Sequence, residues 1–110
     1  MKNIADIRQE YTKSGLRESE LPCDPLSLFS RWLQEAIDAN VEEPTAIIVG
    51  TVSPEGRPST RTVLLKGLHD GKFIFYTNYE SRKGRQLAQN PYISLSFVWH
   101  ELERQVHIEG

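Results

Sequence analysis

The chain has 110 residues, of which 38% are hydrophobic and 25% charged, a composition typical of an ordinary globular protein of one domain. Its net charge of −2 argues against a general nucleic-acid binder. The single cysteine, Cys23, excludes an internal disulfide and a cysteine-based zinc cluster, and a reducing compartment fits best.

The first 24 residues are polar, and we expect residues 1–24 to form a mobile leader that orders only on another surface. No stretch approaches the ~18 apolar residues that a membrane span needs. The opening MKNIADIRQEY also lacks the apolar core of a signal peptide. These features predict a cytoplasmic protein without a membrane anchor.

A helix is predicted to begin at Pro25, with Asp24 before it as the N-cap. Apolar residues then recur at helical spacing from Leu26 to Ile37, and the pattern ends at Asn40. This periodicity predicts an amphipathic helix with one face against a core.

From Thr45 onward the pattern changes to β-rich runs separated by short turns. The five runs are TAIIVGTV, STRTVLLKG, KFIFYTN, YISLSFVWH and RQVHIEG, and a short helix over residues 81–89 lies between the third and the fourth. Five strands with little linker predict an antiparallel barrel or sandwich. The last run reaches Gly110 without a closing element, so we expect its partner strand to come from further residues or another chain.

The short helix has cations at the end where they are least favourable. Ser81 is placed to cap it, and Arg82 and Lys83 lie in its first turn, where the macrodipole leaves the backbone N–H groups partly positive. Tyr76 and Thr77 place two hydroxyls just before this turn, and such a grouping is typical of phosphate sites. The alternative is a solvated basic face, with Tyr76 as a core aromatic whose hydroxyl is wet.

The second strand alternates between two faces. It places Arg61, Val63 and Leu65 on one face and Thr62, Leu64 and Lys66 on the other. Arg61 and Lys66 lie roughly 16 Å apart along an extended strand. An elongated ligand with an anionic tail and a flat, electron-poor head would use one cation at each end. The alternative, more common on residue types alone, is an edge strand with solvated cations.

Other chemistries find little support in the sequence. His69, His100 and His107 have no metal-ligand spacing, so we predict no metal site. The nucleophile motif G-x-S-x-G and the dinucleotide motif G-x-G-x-x-G are absent. Trp99 is interpreted as a core indole. Gln105 can hydrogen-bond the edge of a heterocycle through its amide, although a structural role is more common.

Four segments together resemble the pyridoxine (pyridoxamine) 5′-phosphate oxidase family: RQEYTKSGLRESELPCDPLSLF, RTVLLKG, FYTNYESRKGRQLAQNP and WHELERQVHIEG. The resemblance runs in order through essentially the whole chain, and it corresponds to an N-terminal portion of the family's members. It implies a mainly β fold with helices, an FMN-binding split β-barrel that is incomplete in this chain, with residues 25–110 as the N-terminal part of the domain. It also implies a homodimer with FMN at the subunit interface.

The activity that the resemblance implies is oxidation of pyridoxamine 5′-phosphate or pyridoxine 5′-phosphate to pyridoxal 5′-phosphate, with electrons passing through FMN to O2. The implied FMN ligands are Arg61, Thr62, Val63, Leu64, Leu65, Lys66, Tyr76, Thr77, Arg82, Lys83 and Gln105, the last from either subunit. The implied substrate ligands are Arg8, Gln9, Glu10 and Tyr11 of the leader together with Lys66, which is also the implied catalytic residue.

The resemblance implies that Arg82 and Lys83, the cations at the start of the short helix, bind the FMN phosphate. Two alternatives stay open. One is a split-barrel FMN-binding protein or flavin reductase without vitamin B6 oxidase activity. The other is a non-catalytic dimerising fragment.

Overall fold

The computed structural model describes residues 3–6, 16–76 and 82–110, apart from the side chains of Glu20, Arg82 and Lys83. The α-helices in this part are α1 (Pro25–Asp38) and α2 (Arg82–Gln89). The strands are β1 (Ala46–Val52), β2 (Pro58–Leu64), β3 (Gly67–His69), β4 (Lys72–Ile74), β5 (Ser94–Trp99) and β6 (Arg104–Glu109). Short 3₁₀ turns lie at Ile4–Asp6, Glu18–Glu20 and His100–Leu102. The expected fold class, mainly β with helices, is confirmed.

Helix α1 begins where the sequence predicts. The Asp24 carboxylate accepts a hydrogen bond from the backbone N–H of Leu26 at 3.1 Å, and Pro25 occupies the first turn, where its missing N–H costs nothing. The helix ends at Asp38, two residues before the predicted end, and Asn40 adopts a left-handed φ of 56°. The predicted N-cap and amphipathic helix are confirmed.

Four strands form one antiparallel sheet in the order β2-β1-β5-β6. Residues opposite one another in such a sheet share a face. Val49 lies opposite both Arg61 and Leu95, and Leu95 lies opposite Ile108. We call this the inner face, which also carries the buried side chains Ile47, Thr51, Phe97 and Trp99. The outer face carries Ile48, Thr62, Leu64, Ser96, Gln105 and His107.

The core lies between α1 and the inner face. The Phe29 ring of α1 is 4.9 Å from the Phe97 ring and 6.1 Å from the Trp99 ring, centroid to centroid. Its edge also meets Phe73 of β4 at 5.1 Å, which brings the β3–β4 hairpin to the same core. The Trp99 indole N–H donates to the Pro44 carbonyl at 2.8 Å. Trp99 is therefore a core indole with its one polar group satisfied, as predicted.

The predicted strand STRTVLLKG is interrupted. β2 ends at Leu64, after which the Leu65 N–H donates to Thr45 O at 2.8 Å and the Lys66 N–H donates to Ile74 O at 2.7 Å. The chain thus leaves the main sheet for a separate hairpin, β3–β4. Asp70 and Gly71 at its turn have φ values of 51° and 72°, as a two-residue type I′ turn requires. The described residues therefore form six strands rather than the five predicted.

The described strands form an open sheet and a hairpin, not a closed barrel. The predicted antiparallel architecture is confirmed, whereas barrel closure is not seen in the described part of the chain. The predicted helix over residues 81–89 is α2, although Ser81 lies outside the described residues. The mobility of the leader stays a prediction. In the part of the chain that the structure describes, no helix has the length and apolar character needed to cross a membrane.

Candidate functional site

Arg61 lies on an edge strand and points to the inner face at a place where that face is open. β2 has β1 on one side only, so half of its backbone groups are directed away from the sheet. Val49, opposite Arg61 on the next strand, is 1% exposed, whereas Arg61 itself is exposed. A guanidinium at the rim of an apolar core can keep its charge in water and still reach a bound ligand.

The alternation predicted for this strand is confirmed from Arg61 to Leu64 by the register of β2 with β1, whereas Leu65 and Lys66 lie beyond the strand. Val63 lies opposite Ile47 on the inner face, whereas Thr62 lies opposite Ile48 and Leu64 opposite Ala46 on the outer face. Leu65, just past the strand, is buried. At this edge, a ligand can therefore reach backbone groups of β2 and the 43% exposed side chain of Leu64, whereas the side chain of Leu65 belongs to the core.

Lys66 and Tyr76 lie at the same corner of the molecule, beyond the end of β2. The Lys66 N–H donates to the carbonyl of Ile74, which is two residues before Tyr76. Lys66 is exposed, and 74% of Tyr76 is exposed. The interpretation of Tyr76 as a core aromatic is therefore wrong, because the chain leaves β4 at Ile74 and carries the ring away from the core.

Helix α2 is fixed against the inner face of β1 and β2 by a glutamine that was not among the predicted site residues. The side-chain oxygen of Gln86 accepts hydrogen bonds from the Thr51 hydroxyl at 2.5 Å and the Ser59 hydroxyl at 2.8 Å. Gln86 is 5% exposed. Arg82 and Lys83 lie one helical turn before it, and Ser59 lies two residues before Arg61 on the same strand face.

The hydrogen bonds of Gln86 place the backbone of the first turn of α2 on the inner face that carries Arg61. We call this turn, which contains Arg82 and Lys83, the basic turn. In sequence, nothing distinguishes Gln86 from the exposed Gln89 of the same helix. Only the packing of α2 shows which of the two amides is buried.

Gln105 lies far from Arg61. It is exposed on the outer face of β6, opposite Val98, whereas Arg61 is on the inner face of β2. β2 and β6 are the two edges of the sheet, three strand spacings or about 14 Å apart. One copy of the chain therefore cannot direct both side chains at the same small group.

The Gln105 side chain has a neighbour, His107, that was not among the predicted site residues. The His107 Nε2 lies 3.3 Å from Gln105 Oε1, and the His107 Nδ1 lies 2.9 Å from the Ser96 hydroxyl. The i, i+2 spacing of Gln105 and His107 in the sequence is enough to place both on one face of a strand. The contact of His107 with Ser96 could be found only from the register of β5 and β6.

Two of the candidate cations are free of acidic partners among the described residues. Arg104 contacts Glu35 at 2.6 Å and lies 4.5 Å from the centre of the Trp32 ring, so its charge is used to join β6 to α1. Arg61 and Lys66 have no such carboxylate within the described ranges. As far as the described part of the chain goes, both are therefore available to an anionic or electron-rich ligand.

A groove of about 540 Å³ lies elsewhere, at the end of the sheet near Gly50, Ser59, Tyr92 and Glu109. None of the residues predicted to hold FMN lines it. The candidate cofactor residues form an exposed edge and corner instead.

Several predicted site residues are not tested by the structure. Arg8, Gln9, Glu10, Tyr11 and Thr77 lie outside the described residues, as do the side chains of Arg82 and Lys83. Over the described ranges, no three His, Cys, Asp or Glu side chains come together in a group that could hold a metal ion.

Comparison with known proteins points to one family. A family model described as "Pyridoxamine 5′-phosphate oxidase" matches residues 33–110. The "Pyridoxine/pyridoxamine 5′-phosphate oxidase" of Bacteroides fragilis is 82% identical over 108 residues, which cover 98% of this chain and 46% of that protein. The protein of the same name from Porphyromonas gingivalis is 59% identical over 98% of this chain and 50% of its own length. The chain thus spans about half the length of the curated relatives it matches.

Solved structures share the fold. PhzG from Burkholderia lata 383, solved in complex with tetrahydrophenazine-1-carboxylic acid, matches with a TM-score of 0.80 and 36% identity over 84% of this chain and 46% of its own. A pyridoxamine 5′-phosphate oxidase-related, FMN binding protein from Nostoc punctiforme matches with a TM-score of 0.68 and 22% identity, covering 79% of this chain and 46% of its own. With the family match over residues 33–110, these likenesses show that the chain belongs to the pyridoxamine 5′-phosphate oxidase family and matches an N-terminal portion of it.

Proposed function

We propose that the chain is part of an FMN-dependent oxidase that converts pyridoxamine 5′-phosphate or pyridoxine 5′-phosphate to pyridoxal 5′-phosphate, with O2 as electron acceptor. The names of its relatives support this activity. The observation that carries the proposal is the pair of exposed cations Arg61, on the edge strand β2, and Lys66, just past its end, which have no acidic partner among the described residues. The proposed setting is the cytoplasm.

The residues at this edge fit FMN. A guanidinium binds phosphate through charge-assisted hydrogen bonds, so Arg61 would hold the phosphate, joined by Arg82 and Lys83 from the first turn of α2. The N-terminal turn of a helix adds partly positive N–H groups to the same anion. Gln86 supports this assignment because it ties α2 to the strand face of Arg61.

The segment Thr62–Leu65 would lie along the rest of FMN, and Lys66 would lie at the ring system. The exposed Tyr76 is at the Lys66 corner, with Thr77 next to it in sequence. FMN, when bound, supplies the hydride acceptor and the route for electrons to O2. Lys66 would orient the substrate and balance negative charge near the ring. Arg8, Gln9, Glu10 and Tyr11 of the leader would cover the bound substrate.

We further propose that the working unit is a homodimer with FMN at the subunit interface. Arg61 and Gln105 lie on opposite faces and opposite edges of one sheet, so both can serve one FMN only if they come from two copies. Gln105 would then reach the flavin bound along β2 of the other copy.

The proposal is tested with the purified 110-residue chain. Addition of FMN should quench flavin fluorescence and give a yellow protein after removal of free flavin. Incubation with pyridoxamine 5′-phosphate or pyridoxine 5′-phosphate should then consume oxygen and form pyridoxal 5′-phosphate. Failure to retain any FMN would contradict the proposal.

A second candidate is an FMN-binding protein of this fold that acts on another substrate. The related PhzG structure holds tetrahydrophenazine-1-carboxylic acid, which shows that the fold accommodates a different ligand in that protein. Retention of FMN without formation of pyridoxal 5′-phosphate would favour this candidate. A colourless protein that still dimerises would instead favour a non-catalytic dimerising fragment.

A further inference from the structure

Three polar side chains are connected in a row on the outer face of β5 and β6. Ser96 and His107 are cross-strand partners, and the Ser96 hydroxyl is 2.9 Å from His107 Nδ1. His107 Nε2 is 3.3 Å from Oε1 of Gln105, two residues earlier on the same strand face. Gln105 and His107 are exposed, so the row lies on a surface that a ligand can reach.

In the structure, Oε1 of Gln105 faces His107, and with this placement a neutral imidazole satisfies both contacts in one tautomer. An amide oxygen only accepts, so the N–H that joins His107 to Gln105 must be on the Nε2 of the histidine. A neutral imidazole carries one N–H, and its other nitrogen therefore accepts. The Ser96 hydroxyl then donates to Nδ1.

This arrangement leaves the amide nitrogen of Gln105 available. Its Oε1 is occupied by His107, whereas its NH₂ group, the other substituent of the same amide carbon, has no hydrogen-bond partner among the described residues. Without His107, an exposed glutamine amide can rotate and present either its oxygen or its nitrogen, because the terminal torsion has a broad, nearly two-fold profile.

We propose that His107 is a positioning residue that, with Ser96, holds the Gln105 amide so that its NH₂ group is presented as a hydrogen-bond donor to the acceptor edge of the flavin ring. The inference rests on the proposed FMN function. The NH₂ group of Gln105 would donate to a ring carbonyl oxygen or to an unprotonated ring nitrogen of the flavin.

The first experiment needs no FMN. Nitrogen-15 NMR of the chain should show the neutral form of His107 with its proton on Nε2. The Ser96→Ala variant should lose part of this preference, because Nδ1 no longer accepts a hydrogen bond. A proton on Nδ1 would mean that the Gln105 NH₂ donates to His107 and that its carbonyl faces outward, which would overturn the proposal.

The second experiment is a double-mutant cycle on FMN affinity. Gln105→Ala removes one net hydrogen bond of ~1 kcal/mol and should raise the FMN Kd roughly fivefold. His107→Phe should raise the Kd in the same direction and shift the flavin absorption bands as Gln105→Ala does. In the Gln105→Ala background, His107→Phe should have no further effect, because it acts only through Gln105.

Glu109→Ala is the matched control, since Glu109 is exposed on the same face of β6 as His107. The FMN Kd of this variant should stay within about twofold of the wild-type value, a smaller change than the loss of one hydrogen bond would cause. If His107→Phe still raises the FMN Kd in the Gln105→Ala background, the positioning role is refuted. It is also refuted if His107→Phe leaves the Kd unchanged in the wild-type background while Gln105→Ala clearly raises it. If the wild-type chain binds no FMN, the proposed function fails and the flavin part of this inference fails with it. The NMR result then still decides the amide orientation.

Discussion

Arg61 illustrates how one position on a strand can carry a charge beside a hydrophobic core. Its cross-strand partner Val49 is buried, but β2 is the edge of the sheet and its inner face is open there. The aliphatic part of the arginine can cover apolar surface while the guanidinium remains in water. Such a side chain does not contribute to stability through an ion pair within the described residues, which favours a role toward a ligand.

Arg61→Ala should weaken FMN binding without unfolding the chain. A charge-assisted hydrogen bond contributes about 1.5 to 3 kcal/mol, so the FMN Kd should rise roughly ten- to a hundredfold in a fluorescence titration. Arg57→Ala is the control, because Arg57 is an exposed arginine in the turn between β1 and β2, just before β2 begins. Equal Kd values for both variants would contradict the phosphate assignment.

Lys66→Ala should reduce turnover more than it reduces FMN affinity. Lys66 lies past the end of β2, at the corner proposed for the ring system and substrate rather than for the phosphate. We expect kcat for pyridoxal 5′-phosphate formation to fall at least tenfold, or about 1.4 kcal/mol, and the FMN Kd to change less. Lys72→Ala, at an exposed lysine of the β3–β4 hairpin, should change neither quantity. A Kd change larger than the kcat change would place Lys66 on the phosphate instead.

At the scale of elements, α2 depends on polar packing for its position. Its buried Gln86 accepts from hydroxyls on two neighbouring strands, Thr51 of β1 and Ser59 of β2, which are themselves 3.3 Å apart. A buried polar group is costly when it lacks a partner, so these three groups are stable only together. The basic turn of α2 is therefore held in place by hydrogen bonds.

Gln86→Met should destabilise the chain and weaken FMN binding together. The substitution keeps the size and flexibility of the side chain but leaves the Thr51 and Ser59 hydroxyls without their acceptor. We expect a loss of about 1 to 3 kcal/mol in the free energy of unfolding, measured by urea denaturation. Gln89→Met changes the exposed glutamine of the same helix and should cost less than about 0.5 kcal/mol. Similar losses for both variants would show that Gln86 does not anchor α2.

At the scale of the whole molecule, the outer face of the sheet exposes large aliphatic side chains. Ile48 and Leu64 are each 43% exposed, and they share this face with Gln105. An exposed apolar sheet face commonly marks a contact surface. In the proposed homodimer, this face contacts the second copy.

Ile48→Glu should therefore weaken self-association of the chain. Burial of an unpaired carboxylate at an interface is strongly unfavourable, so the dimer dissociation constant from analytical ultracentrifugation should rise roughly tenfold or more. Ile37→Glu is the control, since Ile37 of α1 has nearly the same exposure, 44%, but lies on the other side of the molecule from the outer face. A wild-type chain that is monomeric with FMN bound would contradict the dimer proposal.

Much of the fold was predictable because it depends on interactions between residues that are close in sequence. The N-cap at Asp24, the proline at the first helical turn and the apolar spacing of α1 act within a few residues, and each has the predicted role in the structure. The alternation of Arg61, Thr62 and Val63 also follows from strand geometry alone. The break after Leu64 was not predictable in this way, because it depends on hydrogen bonds of Leu65 and Lys66 to Thr45 and Ile74.

The candidate site was predictable to the same extent: local features were predictable from the sequence, and contacts between distant residues were not. Residue types and motif order indicated the family and its cofactor residues, and the family itself is confirmed by the match over residues 33–110. The buried role of Gln86 and the contacts of His107 were not predictable, since each depends on side chains that are distant in sequence.

By itself, the sequence determined the helix α1, the β-rich remainder, the faces of β2 and the family to which the chain belongs. These features depend on short-range periodicity, capping and motif order. The tertiary structure alone decided that β2 is an edge strand, that Gln86 is the buried anchor of α2, and that Arg61 and Gln105 lie on opposite faces. Strand order and register bring together residues that are far apart along the chain, and no local pattern specifies which of them meet.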